Sequence, residues 1–589
     1  MCGIVGYVGG KEALPILLNS LERVTYRGYD SFGVAVLNGK SIEVFKRVGA
    51  VDSAKDSILF KGSAGIGHTR WATVGGVTER NAHPHFDCSG QIALVHNGDI
   101  DNYLEIKKRL VTDGHKFVSD TDSEVIAHLI ESHMAGKGSL VEAVCAATEE
   151  LEGSFALVVL EQKTRRMAVA RRDSPVVIGI GDGETFVASD APAILPYTHS
   201  MIYPEDGDIA LITTAGVDFW HKGTRVKRLV RKIDWDASQI EKGGYEHFML
   251  KEIYEQPHAI RDTISSFPTG LPDLPVVNPD YLVFTANGTS YHACLVGEYM
   301  LNGQAPFGVS TVIASEMGAP PFPAKNGLAV AVSQSGETAD TISALKRLVS
   351  AGFKTLAVTN VRHSSIARLA DSVLYTSAGP EVAVAATKTF TTQIVVMALL
   401  TAKLLSGTPR GRELSEGLRH LPTRVQQTLE RSKEIEKMGA ALSKYEHMFV
   451  IGKGQTLSVT LEAALKIKEV AYLHAEGVPA GELKHGPFAL LDEKTPVLAL
   501  VADDENKTRM LTALREIKAR NAPVFVMTDA PASEVEGLAA HVVVLPKAEA
   551  GMGTVVFTVA SQLLAYHCAA ARGLSIDRPR NLAKSVTVP

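Results

Sequence analysis

Cys2 follows Met1 and precedes Gly3. A small residue at position 2 permits removal of the methionine. The thiol would then stand beside a free α-amine of pKa about 7.7–8.0, which can serve as its local base. Taken alone, such a cysteine is as readily a small buried hydrophobe. The segment His68-Thr69-Arg70-Trp71-Ala72-Thr73 adds an arginine and hydroxyls suited to a two-pronged grip on a carboxylate. His96-Asn97-Gly98-Asp99 sets a side-chain amide next to a flexible backbone N–H. Those are the parts of an oxyanion hole, or else of a hairpin turn. Ser119-Asp120-Thr121-Asp122-Ser123-Glu124 supplies carboxylates for an ammonium group, or a capped helix start. A thiol, an oxyanion hole, a carboxylate grip and an amine grip together fit the side-chain amide of an amino acid such as glutamine.

A second chemistry is written further along the chain. Ser333-Gln334-Ser335-Gly336-Glu337-Thr338 lies between the apolar run 328–332 and a helix carrying Ile342, Leu345, Leu348 and Val349 on one face. Three hydroxyls and a glycine at a helix N-terminus suit a phosphate better than a simple cap, which needs one hydroxyl. Lys466 and Glu469 are three apart on an expected helix over 460–473 that also carries Glu462. On an arbitrary helix they would be a surface ion pair. Gly481-Glu482-Leu483-Lys484-His485-Gly486-Pro487 is a polar loop, and the last residues, 577–589, include Lys584 in what would ordinarily be a loose tail. Gly452-Lys453-Gly454 lacks the third glycine of a dinucleotide fingerprint, Leu457 standing there. His83-Pro84-His85 has no sequence neighbours to complete a metal site, so no metal and no cofactor is expected.

The elements that must hold these residues are α/β and α+β in texture. Residues 2–220 read as short strands with interspersed helices, 221–279 as a linker closed by a proline-rich stretch, and 280–425 and 440–579 as alternating strands and amphipathic helices. The last two segments look like copies of one unit, since Ile342, Leu345, Leu348, Leu356, Val358 and Thr359 match Leu511, Leu514, Ile517, Phe525, Met527 and Thr528 without a gap. Gly352 matches Asn521, the other residue type that tolerates a left-handed helix end. The second copy replaces the phosphate loop by Ala502-Asp503-Asp504-Glu505-Asn506-Lys507, whose carboxylates would repel phosphate. One phosphate site per pair is expected.

Composition removes other classes. Lys and Arg number 60 against 65 Asp and Glu, a net charge of −5, without the basic excess of a nucleic-acid binder. The longest apolar stretch, around 394–405, is broken by Lys403 and is too short for a membrane span; no signal peptide opens the chain. Five scattered cysteines (Cys2, Cys88, Cys145, Cys294, Cys568) exclude a disulfide framework and a cysteine-rich zinc site. A cytoplasmic, multidomain enzyme without membrane or nucleic-acid partners is expected.

Met1-Cys2-Gly3-Ile4-Val5-Gly6, Tyr26-Arg27-Gly28-Tyr29-Asp30-Ser31 and the His68, His96 and Ser119 segments resemble the N-terminal-nucleophile (class II) glutamine amidotransferases. Over the whole chain, the resemblance is to the glutamine–fructose-6-phosphate aminotransferase (isomerising) family. It implies an αββα-sandwich glutaminase domain followed by two doubly wound parallel-sheet sugar isomerase (SIS) domains and a catalytic tail, 580–589. It implies Cys2 as nucleophile, Asn97 and Gly98 as oxyanion hole, Arg70, Thr73 and Asp122 as glutamine ligands, and Trp71 and Ala583 along an ammonia passage. In the isomerase half it implies Ser290, Ser333, Gln334, Ser335, Thr338 and Glu462 on the sugar phosphate. His485 would open the ring, Lys584 form a Schiff base, Glu469 move a proton between C1 and C2, and Lys466 tune Glu469. The substrates would be L-glutamine and D-fructose 6-phosphate, and the assembly a homodimer in which His485 serves the neighbouring subunit. Val74, Phe32, Asp99 and Asn287 depart from the family pattern. Rival readings are a sugar-phosphate sensor without turnover and an amidotransferase for another acceptor.

Overall fold

The computed structural model describes residues 2–51, 57–135, 138–233, 241–276, 278–318, 326–549 and 551–585. It divides into two compact units, Met1–Ile240 with Ser585–Pro589, and Glu241–Lys584.

The first unit stacks two antiparallel sheets. One has eight strands, in the order Arg231–Lys232, Ser200–Ile202, Val177–Ile180, Thr185–Ala188, Gly3–Val8, Ala64–Arg70, Ser31–Leu37 and Ile42–Val48. The other has seven, in the order Thr224–Val226, Gly216–His221, Asp208–Thr213, Arg166–Arg172, Gly153–Glu161, Ile92–Ile100 and His85–Phe86. Side chains alternate across a strand, and here both sides are apolar. Ala93, Val95, Ala156 and Val158 pack against Ile4, Ala35 and Ile66 of the facing sheet. Their neighbours Leu94, Leu157 and Val159 turn outward onto the helices Glu124–Met134 and Leu140–Glu150. The helix Ala13–Val24 lies on the strands Gly3–Val8 and Ala64–Arg70. Helix, sheet, sheet, helix is the expected sandwich. Phe32 is fully buried and packs its ring against Phe45.

The second unit holds two five-stranded parallel sheets of identical topology. The first runs Gly308–Ile313, Tyr281–Ala286, Gly327–Val332, Lys354–Thr359, Ser372–Tyr375; the second runs His474–Pro479, His447–Gly452, Val497–Val501, Val524–Thr528, His541–Val544. The matched segments of the two copies fall on matching strands and helices, and Gly352 and Asn521 both have positive φ, 87° and 62°. Ile342, Leu345 and Leu348 are buried as the periodicity requires, whereas Val349 is 41% exposed and lies off that face.

Three expectations need correction. The boundary at 220 cuts the strand Gly216–His221, and the sheets continue through Thr224–Val226 and Arg231–Lys232. The rest of the supposed linker includes the helices Phe248–Tyr254 and Gln256–Ser265, whose Met249, Ile253 and Ile260 belong to the core of the second unit. The longest apolar stretch is not 394–405 but the helix Gly553–Ala571, long and apolar enough to cross a membrane by length and composition, with 83% of its most apolar 18 residues buried. It is a core helix.

Candidate functional site

In the first unit, the antiparallel register pairs Gly3 with Thr69 and so brings Cys2 level with Arg70 and Trp71. The Trp71 N–H donates to Cys2 Sγ at 3.2 Å. Arg27 Nε and Asn97 Nδ2 both donate to the Cys2 carbonyl, at 3.1 and 2.9 Å. Burial pushes the Cys2 thiol up, opposed by the Trp71 N–H and the charges of Arg70 and Arg27. Asn97 is held from both ends. Its Nδ2 also reaches Ser189 Oγ at 2.8 Å, and its Oδ1 lies 3.1 Å from His68 Nε2, which is also 3.0 Å from the His96 carbonyl. Two acceptors on one ring nitrogen require the Nε2–H tautomer. Burial keeps that imidazole neutral, with its pKa lowered to about 3. Gly98 has φ +128°, and a Cβ there would lie 2.0 Å from the Ser154 carbonyl oxygen, so no other residue fits.

Of the glutamine ligands expected from the sequence, Arg70 carries its charge to both the Cys2 thiol and Asp122. Arg70 directs three of its five N–H groups at the carbonyls of Gly76, Val74 and Gly75, at 3.1, 2.6 and 3.0 Å, so it shapes the loop after Trp71 as well as offering charge. Thr73 Oγ1 donates to Asp99 Oδ1 at 3.1 Å, which brings the unexpected Asp99 into the site. Asp122 accepts from the Ile100 N–H at 3.0 Å and from Ser123 Oγ at 3.3 Å. Burial and the Asp122 charge raise Asp99, so two carboxylates share the place where an ammonium would bind. Trp71 packs edge-on against Tyr29.

In the second unit, Ser333 Oγ pairs with Thr338 Oγ1 at 2.9 Å and accepts the Gly336 N–H at 3.0 Å. Ser335 Oγ accepts the Glu337 N–H at 3.2 Å, and the Gln334 carbonyl accepts the Asn360 N–H. Gly336 has φ +67°, and a Cβ there would fall 2.0 Å from Ser364 Oγ. The loop is therefore preformed at the start of the helix Ala339–Ser350. Gln393 Nε2 donates to Ser290 Oγ at 3.0 Å, and Asn287 Nδ2 to Asp340 Oδ2 at 3.1 Å.

In the matching loop of the second copy the carboxylates are not left to repel one another. Asp503 is itself the bound anion, 2.6 Å from both Lys507 Nζ and Lys547 Nζ. Hydrogen bonds from these lysines lower it to about 2.

Glu462, Lys466 and Glu469 do not form a surface pair. Lys466 is 1% exposed and touches both carboxylates, 3.4 Å from Glu462 Oε1 and closer still to Glu469 Oε2. Glu462 also accepts from Thr289 Oγ1 at 3.1 Å and lies 2.7 Å from His292 Nδ1, so it joins the two isomerase copies. Burial raises Glu469, which Lys466 opposes and Glu462 reinforces. The expected helix 460–473 is a helix Thr456–Lys466 that passes into a π-turn, Ile467–Ala471, carrying Glu469.

Lys584 is ion-paired with Glu381, a partner that nothing in the sequence signalled. In the same tail, the Arg580 guanidinium lies 4.4 Å over the Tyr472 ring. Ala583 precedes it, half-buried. His485 is exposed in a short 3-10 segment, Ala480–His485, and takes part in none of the described hydrogen bonds or ion pairs. Arg27, Ser189, Thr289 and His292 were also missed. Each is an isolated polar residue whose partner lies far away in sequence.

Comparisons with known proteins agree with this geometry. A glutamine amidotransferase domain family matches residues 53–219, and the SIS domain family matches 277–403 and 441–572. The chain is 42% identical to the glutamine–fructose-6-phosphate aminotransferase (isomerizing) of Caldanaerobacter subterraneus subsp. tengcongensis, over all of both chains. It is 43% identical to the protein of the same name from Thermococcus kodakarensis, again over all of both. Among solved structures, the C-terminal domain of glucosamine-fructose-6-phosphate aminotransferase from Francisella tularensis matches with a TM-score of 0.55 at 35% identity, covering 58% of this chain and 100% of that one.

Proposed function

This chain belongs to the glutamine–fructose-6-phosphate aminotransferase (isomerising) family, and on that premise we propose how its own residues make D-glucosamine 6-phosphate and L-glutamate from D-fructose 6-phosphate and L-glutamine. Two observations carry the reading, each within its own unit: a held thiol, Cys2 beside Trp71, and a buried Glu462–Lys466–Glu469 cluster.

Cys2 Sγ attacks the side-chain amide carbon of glutamine after giving its proton to a local base. Asn97 Nδ2, exchanging the Cys2 carbonyl for the substrate oxygen, and the Gly98 N–H hold the oxyanion. Arg70 and Thr73 grip the α-carboxylate, and Asp122, with Asp99 beside it, the α-ammonium. Ammonia leaves, water hydrolyses the thioester, and Trp71 and Ala583 serve the passage of ammonia to the sugar.

Ser333, Gln334, Ser335 and Thr338 bind the phosphate of fructose 6-phosphate, and Ser290 and Glu462 the sugar. Lys584 attacks C2 of the open-chain sugar to form an imine, and ammonia displaces it. Glu469 takes a proton from C1 and returns it at C2. A carboxyl raised by burial exchanges protons more readily near neutrality. Lys466, fixed between two carboxylates, keeps its charge and limits that rise. His485, exposed within its own chain, opens the sugar ring in a neighbouring subunit of a cytoplasmic homodimer.

The test is Cys2→Ala. It should abolish glutamate release and leave fructose 6-phosphate isomerisation measurable; glutamate release at the normal rate would remove Cys2 from its role.

A further inference from the structure

A second cluster in the first unit belongs to none of this chemistry. Cys88 lies in the turn between the strands His85–Phe86 and Ile92–Ile100, His115 in the loop before the helix Glu124–Met134, and His128 and Glu131 one turn apart on that helix. Cys88 Sγ is 3.6 Å from His115 Nδ1 and 3.5 Å from His128 Nδ1. Glu131 Oε2 is 3.0 Å from His115 Nδ1 and 3.4 Å from His128 Nδ1. The four donor atoms all lie within 4.8 Å of one another.

The four sulfur–nitrogen and nitrogen–oxygen spacings, 3.0–3.6 Å, are close to the edges of a tetrahedron around one cation. With zinc–sulfur near 2.3 Å and zinc–nitrogen or –oxygen near 2.0–2.1 Å, tetrahedral edges are about 3.6 Å for S···N and about 3.4 Å for N···O. Hydrogen bonding alone accounts for the cluster poorly. Glu131 Oε2 already accepts the Cys88 N–H at 3.0 Å, so two imidazole N–H groups would add a second and a third bond to one oxygen that the Cys88 thiol also approaches. The surroundings are those of a metal-bound set. The Lys116 N–H points at Cys88 Sγ at 3.4 Å, and the far nitrogen of His128, Nε2, is buried without a hydrogen-bond partner, 3.6 Å from Glu124 Oε1. With Nδ1 on a cation, this nitrogen would carry the ring proton beside a carboxylate.

We propose that Cys88, His115, His128 and Glu131 form a structural Zn²⁺ site. Binding transfers the thiol proton of Cys88 to solvent and leaves a closed four-ligand shell with no position for substrate. The site ties three separate pieces of chain together. Two of its ligands, His115 and His128, bracket the segment that carries Asp120, Asp122 and Ser123, so the metal would brace the loop placed above at the glutamine ammonium.

Metal-stripped full-length protein titrated with Co²⁺ tests this. One equivalent per chain should bind, with a thiolate-to-cobalt charge-transfer band and the intense visible bands of tetrahedral cobalt, and Zn²⁺ should displace it. Cys88→Ser should lose the charge-transfer band; because Cys88 is exposed, the fold should survive the change. Cys145→Ser, at a thiol outside the cluster, should keep the band. No charge-transfer band in the unaltered protein, or a band retained in Cys88→Ser, would overturn the proposal.

Discussion

The Lys584 ammonium faces the Glu381 carboxylate in the interior of the second unit, with 4% and 0% of the two side chains exposed. Burial alone would raise Glu381; the Lys584 charge and hydrogen bonds from Thr389 and Thr387 hold it instead well below the usual carboxylate range. The Schiff-base role proposed for Lys584 requires it to give up its proton, and here its amine is held against an anion. On that proposal the pair would have to open before the amine could react.

Breaking a buried pair from one side leaves an uncompensated charge, at a cost of about 3–5 kcal/mol. Lys584→Met and Glu381→Gln should each destabilise the protein by roughly that amount, and the double variant should recover most of the loss. Urea unfolding followed by circular dichroism measures it. Additive losses in the double variant would mean that the pair is not energetically coupled.

Ser335→Ala should weaken fructose 6-phosphate binding by about 1.5–3 kcal/mol, the range for a hydrogen bond to a charged group. Asp504→Ala, at the matching position of the second copy, should leave it unchanged, because Asp503 with its two lysines closes that loop to anions. Calorimetric titration of both variants decides; equal losses would place phosphate in both copies.

Acid should loosen the first unit at an unusually high pH. Burial lowers His68 to about 3 and drives His83, His85 and His96 below the imidazole range as well. These rings take up protons below about pH 6.5 in the unfolded chain but not in the folded one. Their stabilising contribution is therefore complete above about 6.5 and is lost as pH falls towards about 3. His83 is the clearest case, since both its ring nitrogens are buried without a partner and its ring lies 4.0 Å from that of His68. His83→Phe should raise the melting temperature, and by more at about pH 5 than at about pH 8. A gain that does not grow on acidification would rule the histidines out as its cause.

What the sequence made legible was local. The duplicated isomerase unit could be read because a strand, a loop and a helix face repeat over short, gapless stretches, and Gly352 and Asn521 need the same backbone. The 333–338 loop was legible because its hydroxyls pair within the loop, and Cys2 and Asn97 because the motifs around them are short and contiguous, although their partners Trp71, His68 and Ser189 are not. Glu381 was not, because it meets Lys584 only after the chain has crossed most of a domain. Asp503 read as a repelling carboxylate for the same reason: Lys547, which helps neutralise it, comes from another loop. The Cys88 cluster escaped because its ligands come from three separate elements and match no spacing motif.

The central claim is that nitrogen released at Cys2 ends on the sugar bound near Lys584. Glutamine labelled with ¹⁵N in its side-chain amide, supplied with fructose 6-phosphate and an excess of unlabelled ammonium, tests it in one mass spectrum. The account expects glucosamine 6-phosphate carrying ¹⁵N, and no labelled product from Cys2→Ala. Product carrying the isotope of the ammonium pool, or none at all, would contradict it.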